Sequence, residues 1–144
     1  MVDRGLVLRK ISELAEYQQQ LQEFKGITVR QYRDDWKKQR IVERTLQMMI
    51  ETCLDMANHL IADQGYRVPV SYADIFKVLG ENKVLGKKLA DRLEKMAKFR
   101  NVLVHQYEKI EAEIIVGILK KKLGDFNQFT KAIVGFVQQP QNLR

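Results

Sequence analysis

A single cysteine, a single tryptophan, two histidines and two prolines occur among the 144 residues. One cysteine rules out an intramolecular disulfide. Cys53 sits in an apolar helical stripe, where a buried thiol is expected and not a nucleophile. That usage suits a reducing cytoplasm. The histidines, His59 and His105, leave few side chains that titrate near neutral pH, so proton transfer has few possible seats. No apolar run approaches the ~20 residues that a membrane span requires, and Met1-Val2-Asp3-Arg4-Gly5 lacks the basic-then-apolar build of a secretion signal. Also missing are a Walker loop, a dinucleotide fingerprint, a nucleophile elbow and any metal-ligand cluster, so no metal or cofactor is expected.

What the chain does have is positive charge and helical periodicity. Lys and Arg number 25 against 18 Asp and Glu, a formal charge of +7, which draws the protein toward polyanions before any specific contact forms. Gly86-Lys87-Lys88 and the stretch from Lys95 to Arg100 concentrate that charge.

From Val7, the apolar positions Ile11, Leu14, Tyr17, Leu21 and Phe24 recur at intervals of three and four, which predicts a helix closed by Gly26. Thr28 caps the next element, read as one long helix through Trp36 and on through Val42, Leu46, Met49, Cys53, Met56 and Leu60 to Gly65. Ile50, Leu54, Ala57 and Ile61 widen its apolar surface to an arc of roughly 160°, enough to pack on two sides, one of them open to another subunit. Arg67-Val68-Pro69-Val70 is incompatible with helix, and Ser71 with Asp74 caps a short helix through Leu79. A further helix runs from about Leu85 to His105. The last begins near Glu111 and carries Ile115, Leu119, Leu123, Phe126, Phe129, Ile133 and Val137, with Gly124 as a kink and Pro140 ending the order. Four long helices and one short one, without strand pattern or repeat, predict an all-α antiparallel bundle formed as one domain over residues 1–144.

The chemistry concentrates in Arg100-Asn101-Val102-Leu103-Val104-His105 and the following Gln106-Tyr107. An Arg/His pair is the minimum set for cleaving RNA without a metal. Arg grips a phosphate bidentately and stabilises charge developing on it, while His moves a proton near neutral pH. At ~100° per residue, Arg100 falls in the apolar arc of Leu89, Leu93, Met96 and Leu103, where a cation is costly unless paired. A polar stripe on the long helix, Arg40, Arg44, Gln47, Glu51 and Asp55, offers partners, with Glu51 or Asp55 expected to orient a cation of the motif when substrate is absent. Otherwise that stripe is a solvated face with intrahelical pairing around Arg44 and Glu51. His59, one turn after Asp55, is expected to make only a helix-surface hydrogen bond.

Arg100, Asn101, His105 and Tyr107, joined to Glu43, Arg44, Gln47, Glu51, Asp55 and His59 on the long helix, resemble the signature and second helix of the HEPN superfamily, in particular the HepT-type toxins of HEPN/MNT toxin–antitoxin pairs. The resemblance implies a homodimeric, metal-independent endoribonuclease with the two motif copies facing each other. Arg100 would stabilise the phosphorane-like transition state, His105 would transfer protons, and Asn101 would hold phosphate or His105, with Arg44, Glu51 and Asp55 in support. It also implies a minimal nucleotidyltransferase antitoxin that attaches AMP to Tyr107, placing bulk and negative charge beside Arg100. A non-catalytic HEPN module that binds nucleotide or RNA is the alternative, and the full Arg100, His105 and Tyr107 set argues against it.

Overall fold

The structure is a computed structural model and describes residues 2–139, with Tyr107 described by its backbone alone. Seven α-helices and one 3-10 turn make up the described residues: α1 (Arg4–Gln22), α2 (Val29–Arg33), α3 (Trp36–Gln64), α4 (Tyr72–Glu81), α5 (Lys87–His105), the turn Tyr107–Lys109, α6 (Ala112–Lys121) and α7 (Gly124–Val137). No strand occurs among them, so the all-α bundle expected from the periodicity is the fold.

Two of the expected helices are divided. Thr28 does cap a helix, through a reciprocal bond with Gln31, but that helix stops after five residues. Asp35 then caps α3 by accepting from the backbone N–H of Lys37 and Lys38 at 3.0 and 3.2 Å. A carboxylate satisfying two orphan donors sets a fresh helix start, even though the apolar spacing runs on across it. The final helix is likewise two, parted at Lys122-Leu123 and not merely kinked at Gly124. Pro140 lies outside the described residues.

The other boundaries follow local chemistry. Asp3 caps α1 by accepting from Leu6 N–H at 3.2 Å. Gly65 closes α3 with φ of 69°, a left-handed conformation that a side chain would strain. Ser71 accepts from Asp74 N–H to start α4. Gly80 of α4 lies so close to α5 that an added Cβ would stand 3.0 Å from that of Ala90. The short link between α4 and α5 makes these two an antiparallel hairpin.

α3 is the axis of the core. Its Val42, Leu46, Met49, Met56, Ala57 and Leu60 are fully buried. α1 packs along it, and α4 and α5 take its other side. Ile50, Leu54, Ala57 and Ile61, expected to leave one side open to another subunit, are at most 5% exposed and are covered within the chain. Phe76 of α4 meets Phe129 of α7 edge to face, with ring centres 5.8 Å apart, so the C-terminal helix is tied to the same core. No helix among the described residues is long and apolar enough to cross a membrane.

Candidate functional site

Arg100 emerges from α5 in its last two turns, where the helix leaves the core. Leu93, Met96, Ala97 and Leu103 of the same helix are buried, and the Arg100 side chain is only 15% exposed, as its place in the apolar arc required. Three groups receive it. Nη2 lies 3.3 Å from Glu51 Oε2 on α3, Nη1 donates to Asn101 Oδ1 at 3.2 Å, and the guanidinium carbon stands 4.8 Å from the ring centre of Tyr72 at the start of α4. The aromatic face supports the flat cation without consuming its donors. Nε is buried and has no acceptor within the described residues.

Glu51 is in turn held by Gln47, one turn earlier on α3, at 3.2 and 3.3 Å. The stripe on α3 therefore supplies the partner that Arg100 needed, and of the two carboxylates considered it is Glu51 that reaches it. Asp55 is engaged instead by Lys10 of α1 at 3.4 Å. Arg44 is exposed, without a side-chain hydrogen bond or ion pair among the described residues. Intrahelical pairing around Arg44 is therefore not formed, and Arg40 pairs with Glu43 at 3.7 Å. Among the described residues His59 does not bond Asp55, and its buried Nε2 has no partner.

His105 is the last residue of α5 and is exposed, with no hydrogen bond on its ring within the described residues. Asn101 stands one turn before it on the same face. Among the described residues neither ring nitrogen of His105 is engaged. Tyr107 opens the 3-10 turn two residues on, and its side chain lies outside the described atoms.

Tyr72 was not picked out from the sequence. Its position after the Ser71 cap was visible, but only the packing of α4 on α5 brings its ring under Arg100. The chain leading to it is fixed by a second arginine. Arg67 grips Asp74 through Nη1 and Nη2 at 2.7 and 2.8 Å and Glu81 through Nε and Nη2 at 2.8 and 3.0 Å, while Asp74 also accepts from Val70 N–H at 3.0 Å. The hydrogen bonds from Arg67, then that from Val70, pull the Asp74 carboxyl down to about 2, and Arg67 also lowers Glu81. Val68 and Val70 on this pinned loop are 82% and 88% exposed. With Asn58, Tyr72 and Asn101 they border an open hollow of about 530 Å³ beside the Arg100 centre.

A largely buried guanidinium with loosely held terminal donors beside an open hollow, on a helix that ends in an exposed histidine, is equipped to bind a phosphate and move protons around it. Residues 14–133 match the family described as Ribonuclease HepT-like. The chain belongs to this HepT-like family. It is 32% identical over 128 residues to the mRNA nuclease HepT of Shewanella oneidensis, covering 89% of this chain and 96% of that one. Among solved structures, the tri-AMPylated HEPN toxin of Shewanella oneidensis in complex with MNT antitoxin superposes with a TM-score of 0.84 at 31% identity, over 94% of this chain and 99% of that one. YutE of Bacillus subtilis, a cytosolic protein of unknown function, superposes with a TM-score of 0.79 at 27% identity, over 99% and 96%. The HepT-like match spans α3, α4 and α5, the three helices from which Glu51, Tyr72 and Arg100 converge.

Proposed function

We propose that this chain is the toxin of a HEPN/MNT toxin–antitoxin pair: a metal-independent endoribonuclease of the cytoplasm, formed as one HEPN domain over residues 1–144 and acting as a homodimer. The observation that carries the reading is the state of Arg100. A guanidinium stacked 4.8 Å from the Tyr72 ring and held at its two Nη atoms only by contacts of 3.3 Å to Glu51 and 3.2 Å to Asn101 has terminal donors to turn toward an anion. The Shewanella nuclease and the antitoxin-bound HEPN toxin support the RNA substrate and the partner.

In this reading His105 of one protomer takes the proton of a ribose 2′-hydroxyl. The resulting oxygen attacks the adjacent phosphorus, and His105 of the partner subunit returns a proton to the departing 5′-oxygen. The products are a cyclic phosphate and a free 5′-hydroxyl. Each chain offers a single motif histidine, so base and acid come from opposite subunits. Arg100 stabilises the charge gathered on the phosphorus oxygens, and Glu51 holds it between turnovers. Asn101, whose Oδ1 already accepts from Arg100, uses its amide to hold phosphate or His105. Asp55, bound to Lys10, and exposed Arg44 support the site through the charge of the α3 stripe. AMP attached to Tyr107 by the antitoxin introduces anions beside Arg100 and shuts RNA out.

The test is His105→Ala assayed on RNA in excess EDTA. Wild type cleaves under these conditions, and the variant loses about a thousandfold in rate while its melting temperature and dimerisation hold. A variant that cuts at the wild-type rate overturns the catalytic role. A wild type that binds RNA and leaves it intact favours the non-catalytic module.

A further inference from the structure

A groove between α5 and α6 lies outside the centre built on Arg100. It encloses about 380 Å³. Its floor is apolar: Met96 and Phe99, one turn apart on α5, face Ile114 in the first turn of α6, and Ile114 is 45% exposed. Around the rim stand Arg92, Lys95 and Lys122. Arg92 donates to Asp125 Oδ1 at 2.9 Å and to Gln128 Oε1 at 2.8 Å, so the one carboxylate in the groove is already neutralised. Lys95 and Lys122 are exposed and make no hydrogen bond or ion pair among the described residues.

An apolar hollow ringed by uncompensated cations fits a ligand that is flat and apolar in its body and anionic at its edge, which describes a nucleobase carrying its phosphate. The apolar floor is one helical turn long on α5, too short for the several-turn stripe by which an amphipathic protein helix docks. α5 carries both features, and Lys95 lies ten residues before His105, a rise of ~15 Å. The groove opens on a different face of α5 from Asn101 and His105, so a strand seated at Arg100 and His105 reaches it only after continuing several nucleotides along and around the helix.

We propose that the groove is a nucleotide subsite for the RNA strand, receiving a base several nucleotides removed from the scissile phosphate on Met96, Phe99 and Ile114, with the adjoining phosphate between Lys95 and Lys122. This rests on the ribonuclease reading above and extends it to substrate positioning away from the reacting atoms.

The probe is a fully 2′-O-methylated RNA oligonucleotide, which lacks the attacking hydroxyl and so reports binding without cleavage. Affinity is measured by fluorescence anisotropy across a salt series for wild type, Lys95→Ala/Lys122→Ala, and a control pair of the same charge change outside the groove, Lys25→Ala/Lys37→Ala. The groove pair is expected to weaken binding about tenfold beyond the control and to flatten the slope of log K against log salt by about 1.4, the contribution of two single-strand phosphate contacts. Ile114→Ala is expected to weaken binding about threefold with the slope unchanged, because it removes apolar area and no charge. On unmodified RNA the groove pair raises KM and leaves kcat near wild type. A groove pair that binds like the control overturns the subsite. So does one that keeps full RNA affinity while losing association with an acidic protein partner. If wild type fails to cut unmodified RNA, the nuclease reading falls, and the binding comparison still decides the subsite.

Discussion

Arg67 and Arg100 both meet carboxylates, and they are held in opposite ways. Arg67 makes four contacts of 2.7 to 3.0 Å with Asp74 and Glu81. Arg100 has contacts of 3.3 and 3.2 Å with Glu51 and Asn101, an aromatic face beneath it and a buried Nε with no acceptor. Yet Arg67 is the more exposed of the two, its side chain 43% accessible against 15% for Arg100. Residue type and neighbouring charge are alike in the two. The fraction of donors already satisfied differs. Arg67 is saturated and fixes the loop before α4, whereas Arg100 is oriented and left unsaturated.

The largest effect expected from breaking this contrast is on catalysis. Arg100→Ala should lower RNA cleavage at least about a hundredfold, and Arg100→Lys nearly as much, because a point charge cannot reproduce the planar fork on a phosphate. Melting temperature should hardly move, since the groups that Arg100 leaves behind are partly solvated. A Lys variant with wild-type turnover, measured by product formation on RNA, would make Arg100 a diffuse charge only.

Arg67→Ala should show the reverse: a melting temperature lower by several degrees, with turnover near wild type below the transition. The sign with pH follows from Asp74, whose carboxyl is lowered from 3.8 to about 2. A depressed carboxylate stabilises the fold above its ordinary value and loses that contribution as pH falls through the lowered one. The gap in melting temperature between wild type and variant should therefore be full near neutrality and close as pH drops from 3.8 toward 2. A gap that stays constant into acid would remove the ion pairs as its cause.

The smallest effect sharpens the comparison. Glu51→Gln frees Arg100 from its resting partner, so RNA should bind a few times more tightly while kcat falls a few times through lost orientation. Equal loss in kcat and kcat/KM, with binding unchanged, would mean that Glu51 does not compete with phosphate.

Much of this was legible in the sequence because it depends on spacing within one helix. The core faces of α1, α3 and α5, the Ser71 cap, and a cation in the apolar arc at Arg100 all follow from periodicity. The polar stripe on α3 likewise pointed to Glu51. What escaped notice depends on competition or on packing. Asp34-Asp35 hold the signal for a new helix, but a helix capped at Thr28 and continued through Trp36 to Val42 passes straight over it. Lys10 lies on α1, so its claim on Asp55 was invisible from α3 alone. The ring of Tyr72 meets Arg100 through the α4–α5 hairpin, and no local pattern encodes that. The α5–α6 groove needed two helices in place before its lysines could be seen to surround anything.

The lone tryptophan offers a spectroscopic consequence. Trp36 opens α3 with 65% of its surface in water and Lys37 5.8 Å from its ring centre. An indole this exposed is expected to emit as in water in the native fold, so denaturing the core should change its colour little. A partner settling over the joint of α2 and α3 strips that water away and moves the emission to shorter wavelength. Intrinsic fluorescence in this protein is therefore a nearly silent monitor of unfolding and a sensitive one of what lands on that joint.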